Sequence, residues 1–298
     1  MARLAASLEA LFWGLHEYNL EQVSEIVLVE WISQSVTKRV CDAPELNRFC
    51  HPISTHSTQL STSEAITIRI LTIDQEKTAA FVQPALTRVS EVHSLNAAAQ
   101  RARGCYLLRL DQDTIVAPSF MRFLQTEMAS SWPHIHQPWF GGRRDCDDAA
   151  SEDLLEDPVH FLLQVEKEAS PVDWQLERVM GGPVGVLGVP AWLWRAIRGY
   201  DERYVAWGHM ELEMYSRLSQ VTDVMPLSNY TDMTSPFFHI AHNKSTSAEP
   251  VRQINSFHDF TKSKDRMGVS RSNSRTWGLA SMHIPEQTLK SVQQDLKS

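Results

Sequence analysis

Two carboxylates, Asp111 and Asp113, close the run Cys105-Tyr106-Leu107-Leu108-Arg109-Leu110 and are the residues of this chain best placed for chemistry. Acids at i and i+2 repel each other and are costly to bury unpaired. A divalent cation offsets that cost. Hard oxygen donors favour Mn2+ or Mg2+, with coordination completed by oxygens of a phosphorylated substrate. The run before the acids is too short for a helix, and its Tyr and Leu content suits a buried strand. Open α/β sheets place their ligands at the carboxyl ends of strands, where these acids would sit. For so short a motif the alternative is a solvated loop after a strand.

The elements that must position the acids are read from periodicity. Leu4, Leu8, Leu11, Phe12 and Leu15 recur at helical spacing and predict an amphipathic helix. The near-continuous apolar run SEIVLVEW at 24–31 has the form of a buried parallel strand, and AITIRILTI at 65–73 that of a second strand. Residues 32–64 between them are polar and read mostly as loop. Val92, Leu95, Ala99 and Ala102 mark the buried stripe of a helix over 89–103, with Gly104 as its stop. Helix, glycine, strand and acids in that order make the second half of a βαβ unit. Pro118 opens a helix reaching 128, residues 131–150 read as an irregular connection, and 152–167 as helix. Four glycines in 179–189 imply a backbone that must come close to something. A short helix is expected at 190–197. Helical spacing resumes at Met210, Met214 and Leu218, with Glu213 and Arg217 as an i, i+4 pair on the outer face. Short strands are expected at 224–227 and 237–241, a solvated basic run at 262–275, and a final helix at 285–296.

Composition sets the class. With 298 residues, 43% hydrophobic and 21% charged, the chain can bury a sizeable core as a single domain with a C-terminal extension. A net charge of -8 and a pI of about 5.8 exclude a broad basic nucleic-acid face, but not an anionic substrate bridged by metal. Cys41, Cys50, Cys105 and Cys146 show no CxxC or Cys/His zinc spacing. Free thiols in a reducing compartment are expected, and a Cys41–Cys50 bridge is the alternative left open. No apolar run is long enough for a membrane span, and the first 20 residues lack the form of a signal peptide, so a cytoplasmic location is expected. The sequons at Asn229 and Asn243 read as chance. No internal repeat is visible.

Several short motifs occur in a telling order: Asn96-Ala-Ala-Ala-Gln-Arg-Ala-Arg-Gly, Leu110-Asp-Gln-Asp, Gly199-Tyr-Asp-Glu, Trp207-Gly and Phe238-His-Ile-Ala-His. Over roughly residues 1–245 this order resembles the GT-A class of nucleotide-sugar glycosyltransferases, in particular family-2-like and galactosyltransferase-like members. The resemblance implies a GT-A-like, Rossmann-related α/β fold: a mixed sheet flanked by helices, with 246–298 as an extension carrying a terminal helix. It implies transfer of a sugar from a nucleotide-diphosphate donor, foremost a UDP-sugar, to an acceptor hydroxyl with inversion. Asp113 would bind Mn2+ or Mg2+, Asp111 the ribose or the metal, and His242 with His239 would complete the metal site. Glu30 would contact the nucleotide base, and Gly181 and Gly182 would let the donor sugar approach. Trp207 and Gly208 would pack against the acceptor, and Glu211 would be the general base. Two departures stand out. Met210 precedes Glu211 where the family has an acidic pair, and the first element is a helix where the family begins with a strand. These motivate a second reading, a non-catalytic GT-A-like module or truncated remnant that binds a nucleotide-sugar or a partner. A third is a haloacid-dehalogenase-type phosphatase, because Leu108-Arg-Leu-Asp-Gln-Asp-Thr fits its hhhDxDxT pattern, with Asp111 as nucleophile and Asp113 as general acid.

Overall fold

In the computed structural model the described residues are 1–33, 39–50, 66–79, 89–129, 137–141, 143–146, 148–167, 186–204, 210–227, 236–241 and 273–291. The chain runs α1 (Ala2–Glu17), β1 (Glu25–Ile32), α2 (Asn47–Cys50), β2 (Ile66–Asp74), α3 (Gln75–Thr78), α4 (Glu91–Arg101), β3 (Tyr106–Leu110), β4 (Thr114–Val116) and α5 (Pro118–Ala129). It continues with β5 (Trp139–Phe140), β6 (Arg143–Asp145), α6 (Asp148–Glu156), α7 (Pro158–Lys167), β7 (Val186–Pro190), α8 (Ala191–Ile197), α9 (Met210–Leu218), β8 (Met225–Pro226), β9 (Phe237–His239) and β10 (Glu286–Ser291). The fold is mixed α/β.

The strands form three small sheets among the described residues, where one mixed sheet was expected: β1-β2-β10, β3-β7-β5-β8 and β4-β9-β6. As expected, β1 and β2 are parallel, in register from Glu25 opposite Thr67 to Ile32 opposite Asp74. The βαβ expectation needs correction. After α4 the chain enters β3, which pairs antiparallel with β7 and shares no ladder with β2. The terminal helix is also a correction, because residues 286–291 form β10, antiparallel to β2. The open side of β2 and the fork of Arg69 onto Glu286 (2.7 and 2.9 Å) draw this segment into a strand against its local helical pattern.

Helix ends follow local chemistry. The Ser90 hydroxyl accepts the His93 N–H and caps α4, which stops at Ala102, two residues before Gly104. Pro158 splits the expected 152–167 helix into α6 and α7, since proline offers no N–H to continue the ladder. The 32–64 connection holds more order than its composition suggested. Turns of 3₁₀ helix at Val40–Asp42 and Pro44–Leu46 lead into α2. They fold the chain back so that Cys41 and Cys50, with Cα atoms 5.5 Å apart, form a disulfide. The free-thiol expectation fails for this pair, while Cys105 and Cys146 are not disulfide-bonded.

Glu213 and Arg217 are buried, not on an outer face. Arg217 donates to Glu213 (2.5 and 2.7 Å), to the Ile197 carbonyl (3.0 Å) and to the Gly199 carbonyl (2.7 Å). It thereby satisfies carbonyls at the end of α8, a place where helices leave acceptors without partners.

One core joins Leu8 and Phe12 of α1 and Phe120 and Met121 of α5 with Ile68 and Ile70 of β2, and β1 and β3 add Ile26, Leu28, Leu108 and Leu110. On the opposite side, α4 packs with α8 and α9 through Val92, Ala99, Trp194, Met210 and Met214. Among the described residues no helix is long and apolar enough to cross a membrane.

Candidate active site

Arg109 is the pivot of the site. It is a guanidinium on an otherwise apolar strand, with a side chain only 3% exposed. Its Nη1 donates to Glu211 Oε1 at 3.1 Å, and its Nη2 to Glu91 Oε1 at 2.5 Å and Asp111 Oδ1 at 2.9 Å. The Tyr200 ring lies 5.9 Å from it. Glu91 and Glu211 both stand in the first turns of their helices, where the helix dipole favours an acid. The end of β3 and the starts of α4 and α9 therefore deliver three carboxylates to one cation. Burial disfavours the charge on Arg109, but Asp111, Glu211 and Glu91 outweigh that and hold it well above its ordinary value. Burial also pushes the Glu91 carboxyl up to about 7, against the pull of Arg109.

Asp113 turns elsewhere. The turn after β3 is closed by the Thr114 N–H donating to the Asp111 carbonyl at 3.1 Å. The Asp113 carbonyl accepts the Ile240 N–H at 2.9 Å, which ties the acid to the end of β9. Thr114 lies opposite His239 in the β4–β9 ladder, and His239 Nε2 is 3.5 Å from Asp113 Oδ2. Asp113 and His239, two of the residues expected at a metal site, are therefore brought together. Asp111 and Glu211 are also brought together, through Arg109. His242, Gly181, Gly182, Trp207 and Gly208 lie outside the described residues, as do both sequons. Among the described residues no group of three or more His, Cys, Asp or Glu side chains could hold a metal. Glu30 is buried, and both its oxygens are engaged inside the fold: Oε2 accepts the Val40 N–H at 2.8 Å and Oε1 the Thr72 hydroxyl at 2.7 Å.

Sequence reasoning missed Arg109 and Glu91. A lone Arg inside an apolar strand, directly before two acids, was the available clue, since such a charge is buried only when paired. The Asn96 and Gly199-Tyr200-Asp201-Glu202 motifs prove to be one unit. Asn96 Nδ2 donates to the Tyr200 carbonyl (2.8 Å) and to Glu202 (3.1 Å), and its Oδ1 accepts the Tyr200 N–H (2.8 Å). This clasp sets Tyr200 beneath Arg109.

Comparison with protein-family models and with curated proteins finds no match for this chain.

Proposed function

We propose that the protein is a metal-dependent glycosyltransferase that moves a sugar from a nucleotide-diphosphate donor, foremost a UDP-sugar, to an acceptor hydroxyl with inversion. The supporting observation is the convergence of Asp111 and Glu211 on Arg109 at the carboxyl end of β3, beside the Asp113–His239 pair. Two donor atoms each about 2.1 Å from one cation stand roughly 3–3.5 Å apart. The 3.5 Å between Asp113 Oδ2 and His239 Nε2 fits that arrangement. These two residues would hold Mn2+ or Mg2+, with His242 as a third candidate. A bound cation supplies positive charge to the departing diphosphate.

The rest falls to the chain's own groups. Glu211 keeps 13% of its side chain exposed, so its carboxylate can meet an acceptor hydroxyl and take its proton. Arg109 aims that carboxylate and Asp111 from one rigid fork, so their separation is set before substrate arrives. Asp111 would accept a ribose hydroxyl.

Calorimetric titration of UDP in the presence of Mn2+ tests the reading. Binding should be lost in Asp113→Asn and kept in Glu211→Gln, which should lose only transfer. A flat titration of the unaltered protein removes the proposal. One observation favours a second reading, a non-catalytic nucleotide-sugar-binding module: Asp111 and Glu211 both pair with Arg109, and a carboxylate oxygen held by a guanidinium is not open to an acceptor hydroxyl. UDP binding without transfer, unchanged by Glu211→Gln, would select it.

A further inference from the structure

The turn that follows α8 is held from three sides. From α4, Asn96 donates to the Tyr200 carbonyl and accepts the Tyr200 N–H, both at 2.8 Å. From α9, Arg217 donates to the Gly199 carbonyl at 2.7 Å. The third hold comes from far along the chain. Asn273 Nδ2 donates to the Arg198 carbonyl at 2.7 Å and to the Tyr200 carbonyl at 2.5 Å. Its Oδ1 accepts the Glu202 N–H at 2.9 Å, and its own carbonyl accepts Arg198 Nη1 at 2.7 Å. A carbonyl has two lone pairs, and those of Tyr200 are taken by two amides from separate parts of the sequence. Glu202 in turn accepts the Gly278 N–H at 2.6 Å, and Trp277 is buried in one cluster with Tyr200 and Met210.

Such a turn needs holding. Arg198 is not glycine, yet its φ is 61°. A side chain in the left-handed region is strained and persists where its surroundings over-determine it. Asn273 grips Arg198 at both its carbonyl and its guanidinium. The turn is also where the parts of the site are joined. α4 brings Glu91 and α9 brings Glu211 to Arg109, and both helices are bonded to this turn, through Asn96 and Arg217. Tyr200 is fully buried, with its ring 5.9 Å from the Arg109 guanidinium. A shift of the turn therefore moves the Tyr200 ring against Arg109, and with it the fork that aims Asp111 and Glu211.

The geometry points to Asn273 as a positioning residue for transfer: it locks the turn from Arg198 to Glu202, and through Tyr200 it fixes the Arg109 fork on which the placement of Glu211 depends. Its effect on turnover rests on the sugar-transfer reading; its effect on Arg109 does not. Asp113 and His239 belong to the meeting of β4 and β9, not to this turn, so binding of the donor through a metal should survive the loss of Asn273. What should suffer is the aim of the base at the acceptor hydroxyl.

Asn273→Ala in the full chain tests this beside Leu46→Ala, which opens a fully buried part of the core under α1 and leaves the turn as it is. In Asn273→Ala the affinity for UDP with Mn2+ and the KM should stay within about twofold while kcat falls about tenfold or more, because a small misplacement of a reacting group has that effect. Leu46→Ala should lower the unfolding temperature at least as far and leave kcat unchanged. Nuclear magnetic resonance of arginine-labelled protein gives a second reading, with the Arg109 signal identified by its loss in Arg109→Met. Rotation of the Arg109 Nη groups should be slow in the unaltered protein and in Leu46→Ala, where carboxylates pin them, and faster in Asn273→Ala. Unchanged kcat or unchanged Arg109 rotation in Asn273→Ala overturns the proposal. An equal loss of kcat in Leu46→Ala overturns it too, since Asn273 would then serve stability alone, and so does rapid Arg109 rotation in the unaltered protein. If the unaltered protein neither binds UDP nor transfers sugar, the sugar-transfer reading falls, and the Arg109 signals alone decide whether Asn273 sets the fork.

Discussion

Arg109 carries the greatest consequence of any single residue. Replacing it with Met leaves Asp111, Glu91 and Glu211 around an apolar side chain, and because Glu91 and Asp111 keep part of their hydration the loss should fall below the roughly 3–5 kcal/mol of a fully buried pair. Glu91, whose carboxyl lies above its ordinary range even beside Arg109, loses that pull, so Arg109→Met should be less destabilised at pH 5.5 than at pH 8, as urea unfolding at the two values would show. His93 supplies a second pH term of opposite sign. Burial lowers its pKa to about 4, below the 6.5 of an exposed imidazole, so its neutral form is favoured on folding. The stability it contributes is present above pH 6.5 and is lost as pH falls toward 4, by up to about 3 kcal/mol at 1.4 kcal/mol per unit. His93→Gln should flatten that part of the stability–pH curve. At this scale His242, expected foremost beside Asp113, lies outside the described residues, and Asp113 and His239 were legible as candidates because acid and imidazole are residue types that announce their chemistry. Arg109 was not, because a strand pattern read for apolar content treats a lone charge as an interruption.

At the scale of elements, the turn after α8 depends on backbone geometry that no periodicity reports. Arg198 and Gly199 both take positive φ (61° and 67°), and a Cβ on Gly199 would lie 2.2 Å from Asn96 Oδ1. Gly199→Ala should therefore cost about 2 kcal/mol or more and loosen the clasp beneath Arg109, seen as a lower thermal midpoint. The Cys41–Cys50 bridge, with a sequence separation of 9, stabilises by restricting the unfolded chain. Loop-closure entropy for so short a loop gives about 2–3 kcal/mol, so unfolding with and without dithiothreitol should differ by that amount. Where apolar spacing ran long, as in α1, β1, β2, α4 and α9, the sequence reading placed the element within a few residues. It failed at α2 and β10. The first is held by a covalent link between distant-looking cysteines, and the second by a strand edge and an arginine far away in sequence. Neither force leaves a local pattern.

For the whole molecule, the sequence order of strands and helices predicted one sheet, and the described residues form three. Local order tells which elements exist, but partner choice is made by long-range pairing, and β3 takes β7 rather than β2. Long-range pairing also has a temporal side. β10 reaches β2 across 217 residues at the Arg69–Glu286 contact, and Leu289 completes the core that α1 begins. A nascent chain emerging from the ribosome completes β1 and β2 but must keep the outer edge of β2 open until the segment of β10, 217 residues on at the Arg69–Glu286 contact, has been made. Over that interval the apolar face of β2 is a target for chaperones and for stray strands, and the speed of final closure is governed by diffusion across that span rather than by the formation of any helix.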